Sequence, residues 1–558
     1  MPCRIFVGVI GRSQHEPRPG SDDTNGISRE DVHNPAMSQA LQTRDGLVSS
    51  WMIFAVACAL VVVGAKCWLI AQYGSPTPYW DQWDAEGAIL YAKFFGGTLH
   101  FFDLIAPHNE HRILTARLWW LLLLELNGYW DPILQMLANT AIIAAFLSVT
   151  VVAFHRILDG TSWIAFVIFS AVLFALPFDW ESALWGVESQ KYLVLLFSVA
   201  GLVAISVAAA FKLRWWLAIL LLVISYFSTA AGALSTAASF AVCFVQFAVA
   251  RRSGRSELLA LVFLAAVTVV MALYTPVLPG HAPLKAHSIE QFLRALMDIA
   301  SWPATTGHEG AVVLLLGTIL TQAPLVVVSI RIVWLRPPLN DRCWLLVAFA
   351  GLAVLQSVTL AYGRAADPTA SRYINTFVIT LIINYACLLY LLNKSELELR
   401  KRLVMVATAI WLLLVLFGAS KFIFTQTLPD LARKEAQSRA QTANLHAYLD
   451  TGNIAALENK PFLDIPYPSP QRLAMIVSQP AIRAILPPAL VGDASAARAQ
   501  QRGLARFTGR PIEALKNYAL RWGVLLIPAG LTLFLLGLTM RWWRDAEISP
   551  SIVRPDAG

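Results

Sequence analysis

Apolar runs long enough to cross about 30 Å of hydrocarbon recur between residues 47 and 540, and none alternates with period two as a membrane strand would. The pattern predicts an all-α fold, a polytopic helical membrane bundle of about twelve spans near residues 47–71, 132–155, 162–178, 190–211, 215–230, 232–250, 258–277, 311–335, 343–361, 373–392, 403–425 and 520–540. One further apolar segment, ILTARLWWLLLLE (113–125), is short and carries Arg117, so its length alone leaves it free to cross, re-enter or lie at the interface.

Charge decides between these. If 113–125 does not cross, the basic clusters Arg156, Lys212 with Arg214, RRSGR (251–255), RPPLNDR (336–342), NKSELELRKR (393–402) and RWWR (541–544) collect on one side, as the positive-inside bias requires of cytoplasmic loops. If it crosses, every later loop changes sides and the clusters face outward. The segment is therefore expected to be a juxtamembrane helix. The loops PYWDQWDAEG (78–87), PHNEHR (107–112), DWESALWGVESQ (179–190), 278–310 and YGRAADPTASR (362–372) then share the extracytoplasmic face.

Composition agrees, with 57% hydrophobic against 14% charged residues and a mean hydropathy of +0.59. The net charge of +8 lies in short clusters between spans, which argues against a nucleic-acid partner. No loop carries a pair of cysteines, so disulfides and thiolate metal sites are not expected. Residues 1–46 read as a polar, disordered cytoplasmic tail, with 1–36 expected to be a misassigned start ahead of Met37. The remaining division is a transmembrane module over 47–425, a polar, Pro-punctuated extracytoplasmic helical insert over 426–518, a last span over 519–541 and a cytoplasmic tail over 542–558. The insert is too small and too poor in aromatics to promise a core of its own.

The outward loops hold the candidate chemistry. A lipid-anchored sugar phosphate presents its reactive carbon just outside the hydrocarbon, where displacement needs a base for the incoming hydroxyl and cations for the departing phosphate. Asp81 and Asp84 are three apart and would share one face of a helix, with Glu86 about a third of a turn away; either aspartate is a candidate base. Arg372, one residue before a span in ASRYIN, is the best-placed cation, ahead of Arg364, Lys285 and Arg294; its plainer reading is snorkelling to the headgroups. His108, Glu110, His111 and Arg112 could bind sugar, shape the loop by a salt bridge or hold a divalent cation with an aspartate, although their spacing matches no standard zinc signature. Glu188 and Gln190 are candidates for substrate hydroxyls, His308 and Glu309 weaker ones, and Trp80, Trp83, Trp130, Trp180, Trp185 and Trp302 read as an aromatic belt at the interface.

The elements YWDQWD, HNEHR, WGVESQ and ASRY, in that order over most of residues 47–421, resemble the GT-C class of membrane glycosyltransferases, in particular poorly characterised bacterial members. The resemblance implies a polyprenyl-phosphate-linked sugar donor, a glycan or glycolipid acceptor, an inverting single displacement and a first-loop aspartate as base. By position that aspartate is Asp81, and Tyr373 of ASRY joins the substrate-binding candidates. It also implies a multi-pass protein of the bacterial inner membrane with its active face outside, with no cofactor beyond an optional divalent cation. Many members have adjacent Asp-Glu, whereas Gln82 follows Asp81 here, which keeps Asp81 and Asp84 both open. The WWDxG signature of oligosaccharyltransferases is absent. The rival readings are an O-antigen ligase or polymerase, a lipid-linked saccharide transporter or flippase, and a scaffold without chemistry. The spans carry mainly amides and hydroxyls, with Lys66 off-centre, and no internal repeat appears, which disfavours transport.

Overall fold

The computed structural model describes residues 35–307, 309–492 and 503–548. The expected tail and start over 1–34, His308 and residues 549–558 of the expected C-terminal tail lie outside the described residues. Two compact units divide between Ser49 and Ser50; the first is described only as helical backbone from Pro35 onward, and the second is the subject below.

The second unit is a polytopic bundle of helices. Ten helices among the described residues are long and apolar enough to cross a membrane, and every one coincides with an expected span. The two other expected spans form shorter apolar helices, Leu213–Tyr226 and Gly232–Ala248, of 14 and 17 residues. At about 1.5 Å per residue these are below the length of an upright crossing. Helix Ile374–Asn393 is buried nearly all round, packed by Gly160–Ala175, Ala311–Leu335, Trp344–Gly363 and Glu398–Phe422. Arg255–Tyr274 and Ala311–Leu335 instead expose Leu, Ile and Val side chains, the surface that lipid solvates.

The mid-span amides hold helices together. Pro324 interrupts Ala311–Leu335; the next amide, Leu325 N–H, donates to Asn384 Oδ1 at 3.0 Å, and the Trp411 indole donates to the Thr321 carbonyl at 3.2 Å. Neighbouring helices thus satisfy the Leu325 amide and the Thr321 carbonyl beside the proline, as hydrocarbon demands.

Hydrogen bonds sort the connections to two ends. At one end Arg252 donates to the carbonyls of Ala208 and Ile205, and Ser162 to Asn393. At the other end, the turn after Leu213–Tyr226 accepts from Thr115 N–H at 3.2 Å through Phe227 O. Helix Leu114–Asn127 keeps to that second end: Trp120 donates to Ser189, Leu126 O accepts from Thr508, and buried Arg117 donates to the carbonyls of Asp103, Leu104 and Ala106. Gly128, at φ 88°, closes this helix in a left-handed conformation, and Asp131 caps the next one by accepting from Leu134 N–H at 3.1 Å.

The segment expected as an insert shares its core with the first loop. Leu445, Leu449, Leu473, Ile476 and Ile482 pack in one cluster with Trp83, Leu90, Trp120 and Trp130. Its last part differs from expectation: Ala505–Trp522 is one amphipathic helix against Leu114–Asn127, and the final span runs Leu526–Ile548. Lys66, on the first span, makes a buried ion pair with Asp179, whose other oxygen accepts from Tyr192 and Asn375, both at 3.1 Å. Removing one partner leaves a buried charge uncompensated, so Lys66→Met should cost about 3–5 kcal/mol while Lys66→Met with Asp179→Asn recovers most of it. Thermal unfolding in detergent checks this, and an undiminished melting temperature in the single variant contradicts it.

Candidate active site

The first loop enters the site through a strained residue. Trp80 has φ 47°, a left-handed conformation that costs an L-residue roughly 1–2 kcal/mol. Its N–H donates to Pro466 O at 2.8 Å, and its ring is wedged between Tyr79 and Phe462. Asp81 follows as the cap of Gln82–Tyr91, which is a π-helix. The wider turn undoes the expected shared face of the two aspartates. Asp84 turns to the C-terminal segment, accepting from Arg472 at 2.8 and 3.1 Å and from the Tyr467 hydroxyl. Asp81 turns the other way, to Asn109 Nδ2 and His108 Nε2, both at 3.4 Å.

PHNEHR forms a small antiparallel hairpin, the strand pair Pro107–His108 and His111–Arg112, the one strand pair among the described residues. Asn109 takes φ 51° at its tip, a conformation asparagine tolerates. His108 pairs directly with His111, so the two imidazoles share one face of the hairpin, and His108 is the one beside Asp81. Desolvation pushes His111 down to about 4, so it is neutral at physiological pH. Glu110 accepts from His281 and, at 3.4 Å, from Arg364. Burial alone would raise its pKa, but the His281 hydrogen bond and the Arg364 charge outweigh that and hold it below 4.5.

From Arg364 the contacts continue around a ring. Its Nε donates to the Tyr373 hydroxyl at 3.1 Å, and the Tyr373 ring lies beside Arg372 and Lys191. Lys191 pairs with buried Glu188 at 2.9 Å. Arg372 is clasped by Glu181, through its Nη1 at 3.0 Å and its own N–H at 3.1 Å. Trp185 donates to Tyr79 O at 3.0 Å and packs on the Tyr79 ring, which returns the chain of contacts to Asp81. Asp81, His108, Glu188 and Arg372 thus belong to one connected set of contacts. Gln190 is buried next to it, its Oε1 without a hydrogen-bond partner among the described residues.

Beneath Asp81 the loop is pinned by a buried amide network. Gln82 accepts from Tyr79 N–H and donates to Glu86 and Gln135, and Gln135 and Tyr91 also donate to Glu86. Gly186 permits the approach, since a Cβ there would collide with Gln135. Burial pushes the Glu86 carboxyl up to about 7 against those hydrogen bonds.

Several expectations need correcting. Arg112 does not face the cluster: it donates to the Ile105 and Tyr274 carbonyls and stacks on the Tyr274 ring, holding the loop. Asp84 is bound by a cation and a phenol, which fits an anchor better than a base. Arg294 donates to the carbonyls of Gly307 and Glu309, so it too shapes a loop. Trp83, Trp130 and Trp302 are core residues and form no interfacial belt. Among the described residues no three His, Cys, Asp or Glu groups converge as metal ligands, and Glu110 is turned to His281 and Arg364, so the residues present do not fit a cation site. Sequence reasoning passed over Tyr79, Glu181 and His281, whose only signal was membership of the grouped loops, and Lys191, which falls inside the expected span 190–211. A cavity of about 440 Å³ lined by Val249, Ser329, Ile330, Val333, Trp334 and Arg336 lies at the opposite end and touches none of this chemistry.

Comparison with protein-family models, curated proteins and solved structures returns no match for this chain.

Two outcomes follow from this geometry. Asp84→Asn should release Tyr467 and Arg472, destabilising the C-terminal segment by about 1 kcal/mol, since Arg472 is partly exposed; faster limited proteolysis within 428–490 would register it, and an unchanged digest would contradict it. Glu86 behaves differently because its folded pKa lies above the ordinary 4.5. The stability associated with its neutral form is complete below about pH 4.5 and is lost as pH rises toward about 7, a few kcal/mol in order of magnitude. Melting temperatures between pH 4.5 and 8 should therefore fall more for the parent protein than for Glu86→Gln, and parallel curves would refute the assignment.

Proposed function

We propose that this protein is a membrane glycosyltransferase of GT-C type that moves a sugar from a polyprenyl-phosphate carrier to a glycan or glycolipid acceptor. One asymmetry carries the reading. Glu110, Glu181 and Glu188 each have a bonded cation, whereas Asp81 has only an amide and an imidazole at 3.4 Å among the described residues, and at 42% side-chain exposure it is the most open of the four. A carboxylate so placed can accept the proton of an incoming hydroxyl.

In the proposed step the acceptor oxygen forms a bond to the anomeric carbon from the face opposite the phosphate, and its proton passes to Asp81. The carbon–oxygen bond to phosphate breaks, the polyprenyl phosphate leaves with the electron pair, and Arg372 and Arg364 donate hydrogen bonds to it. Tyr373, His108, His111, Glu188 and Gln190 would meet the sugar, and Glu86 would position Asp81 through Gln82.

The orientation belongs to the same reading. With twelve crossings the cluster faces the outside of a bacterial inner membrane and the Arg251–Arg255 end faces the cytoplasm. If the helices Leu213–Tyr226 and Gly232–Ala248 instead form a hairpin that does not fully cross, every later loop keeps its side, because both change together. The main alternative is transport, which calls for ionisable groups near mid-membrane; the buried Lys66–Asp179 pair instead lies off-centre, where Asp179 opens the loop that also carries Glu188. Lipid analysis of cells lacking the protein separates the two. A transferase leaves carrier-bound saccharide accumulated at the outer face with an undecorated glycan, and a flippase leaves it at the inner face.

Asp81→Asn should lower transfer by about 10²–10⁴-fold with expression and membrane insertion intact, while Asp84→Asn retains most turnover at moderate temperature. Equal, unimpaired rates in both would place the base elsewhere. Arg372→Lys should also slow turnover, because a lysine cannot keep both the Glu181 clasp and a bidentate phosphate contact; an unchanged rate would favour snorkelling.

A further inference from the structure

The cations of the cluster are not equivalent. Arg372 is neutralised by Glu181, Arg364 by Glu110 and Lys191 by Glu188. Lys434 is the exception. It lies on Leu428–Thr451, the first helix of the C-terminal segment, and is 8% exposed, yet among the described residues it makes no salt bridge and no hydrogen bond. Its ammonium stands 3.7 Å from the centre of the Tyr79 ring, two residues from Asp81, and Glu181 is near enough for its charge to act on it.

The same face of this helix carries further polar groups without partners. Ser438, one turn on, is 7% exposed, and its hydroxyl has no hydrogen-bond partner among the described residues. Thr427, at the start of the helix, is buried with its hydroxyl likewise unpartnered, in a turn packed against Pro177–Asp179. Nothing in the apolar packing of Leu431, Leu445 and Leu449 requires an ammonium here. A cation–π contact offsets only part of the cost of taking a lysine out of water. An anion beside Lys434 would offset the rest.

We infer that Lys434, with the Ser438 hydroxyl, binds the phosphate of the substrate, so that the C-terminal segment completes the site. The inference rests on the transferase reading for the identity of the anion as a prenyl-linked phosphate, and goes beyond it in assigning the net positive charge to Lys434. Arg372 and Arg364, already compensated by glutamates, then orient the phosphate and Lys434 neutralises it. Asp81 and Lys434, the carboxylate and the ammonium without a bonded opposite charge, flank Tyr79 and mark the two ends of the displacement.

The test uses the purified full chain in detergent with farnesyl phosphate as probe, and inorganic phosphate and farnesol as comparators. Lys434→Met should weaken farnesyl phosphate binding roughly ten-fold or more, without lowering the melting temperature of the ligand-free protein, because methionine is easier to bury than an uncompensated ammonium. Ser438→Ala should weaken it by a smaller factor, and farnesol should bind parent and variant alike. Undiminished farnesyl phosphate binding by Lys434→Met overturns the site while leaving the Asp81 reading standing. A lowered melting temperature with undiminished binding makes Lys434 a structural partner of Tyr79 and overturns it equally. If inorganic phosphate binds as well as the prenyl ester and Lys434→Met loses both, the anion site stands and the lipid carrier falls. If the parent binds neither phosphate, the anion site is overturned, and loss of transfer in Asp81→Asn decides the transferase reading separately.

Discussion

Ionised groups at the edge of an apolar bundle persist only where each finds an opposite charge or an open path to water. That constraint organises this molecule. Lys66 is held by Asp179, Arg252 by Glu257, Arg372 by Glu181, Lys191 by Glu188 and Lys516 by Asp131, each pair at a junction between helices. Against so consistent a background of compensation, the departures carry information. Asp81 is open to solvent beside the His108 imidazole, and Lys434 is buried against an aromatic ring. Both lie next to Tyr79, whose own hydroxyl is raised well above its usual range by burial and by the neighbouring carboxylates of Glu181 and Asp81, partly offset by Arg372.

The architecture serves to bring those groups together. Spans far apart in sequence end at one level, and several of their connections hydrogen-bond to one another, as Ser371 does to Phe178 and Glu181 and Ala286 does to Tyr362. The C-terminal segment closes the assembly from above: Pro470–Val477 and Pro480–Arg483 pack on the π-helix that follows Asp81, and Leu428–Thr451 reaches Tyr79. The left-handed Trp80 is tolerable only because Pro466 and Phe462 of that segment hold it. The direction of Asp81 therefore depends on residues almost four hundred positions away.

Helices were legible because hydrocarbon enforces them, and the span positions follow from hydropathy with little competition from tertiary effects. The loops of one end could be grouped because positive charge collects at the other. What hydropathy could not reveal was local geometry inside the loops. A period of 3.6 put Asp81 and Asp84 on one face, but a π-helix separates them, and no residue in QWDAEGAILY announces the wider turn. Asn109 hinted at the hairpin only in retrospect. Lys434 sits in a polar helix that reads as solvated, and its burial arises from packing against the first loop, which periodicity cannot foresee. The tryptophans misled for the opposite reason: aromatic residues near span ends resemble a belt, whereas Trp83 and Trp130 fill a core that the short loop helices share with the C-terminal segment, and Trp302 lies in the main core of the bundle.

The central claim is that this end of the bundle receives a lipid-anchored phosphate. It is tested most directly by photocrosslinking the protein in lipid nanodiscs with a benzophenone-bearing polyprenyl phosphate and mapping the labelled peptides by mass spectrometry. The account predicts label in the peptides containing Tyr79, Glu181 to Lys191, Arg364 to Tyr373 and Lys434, competed away by unlabelled carrier. Label confined to the opposite end, around Arg251 to Arg255 and Ser329 to Arg342, would contradict it.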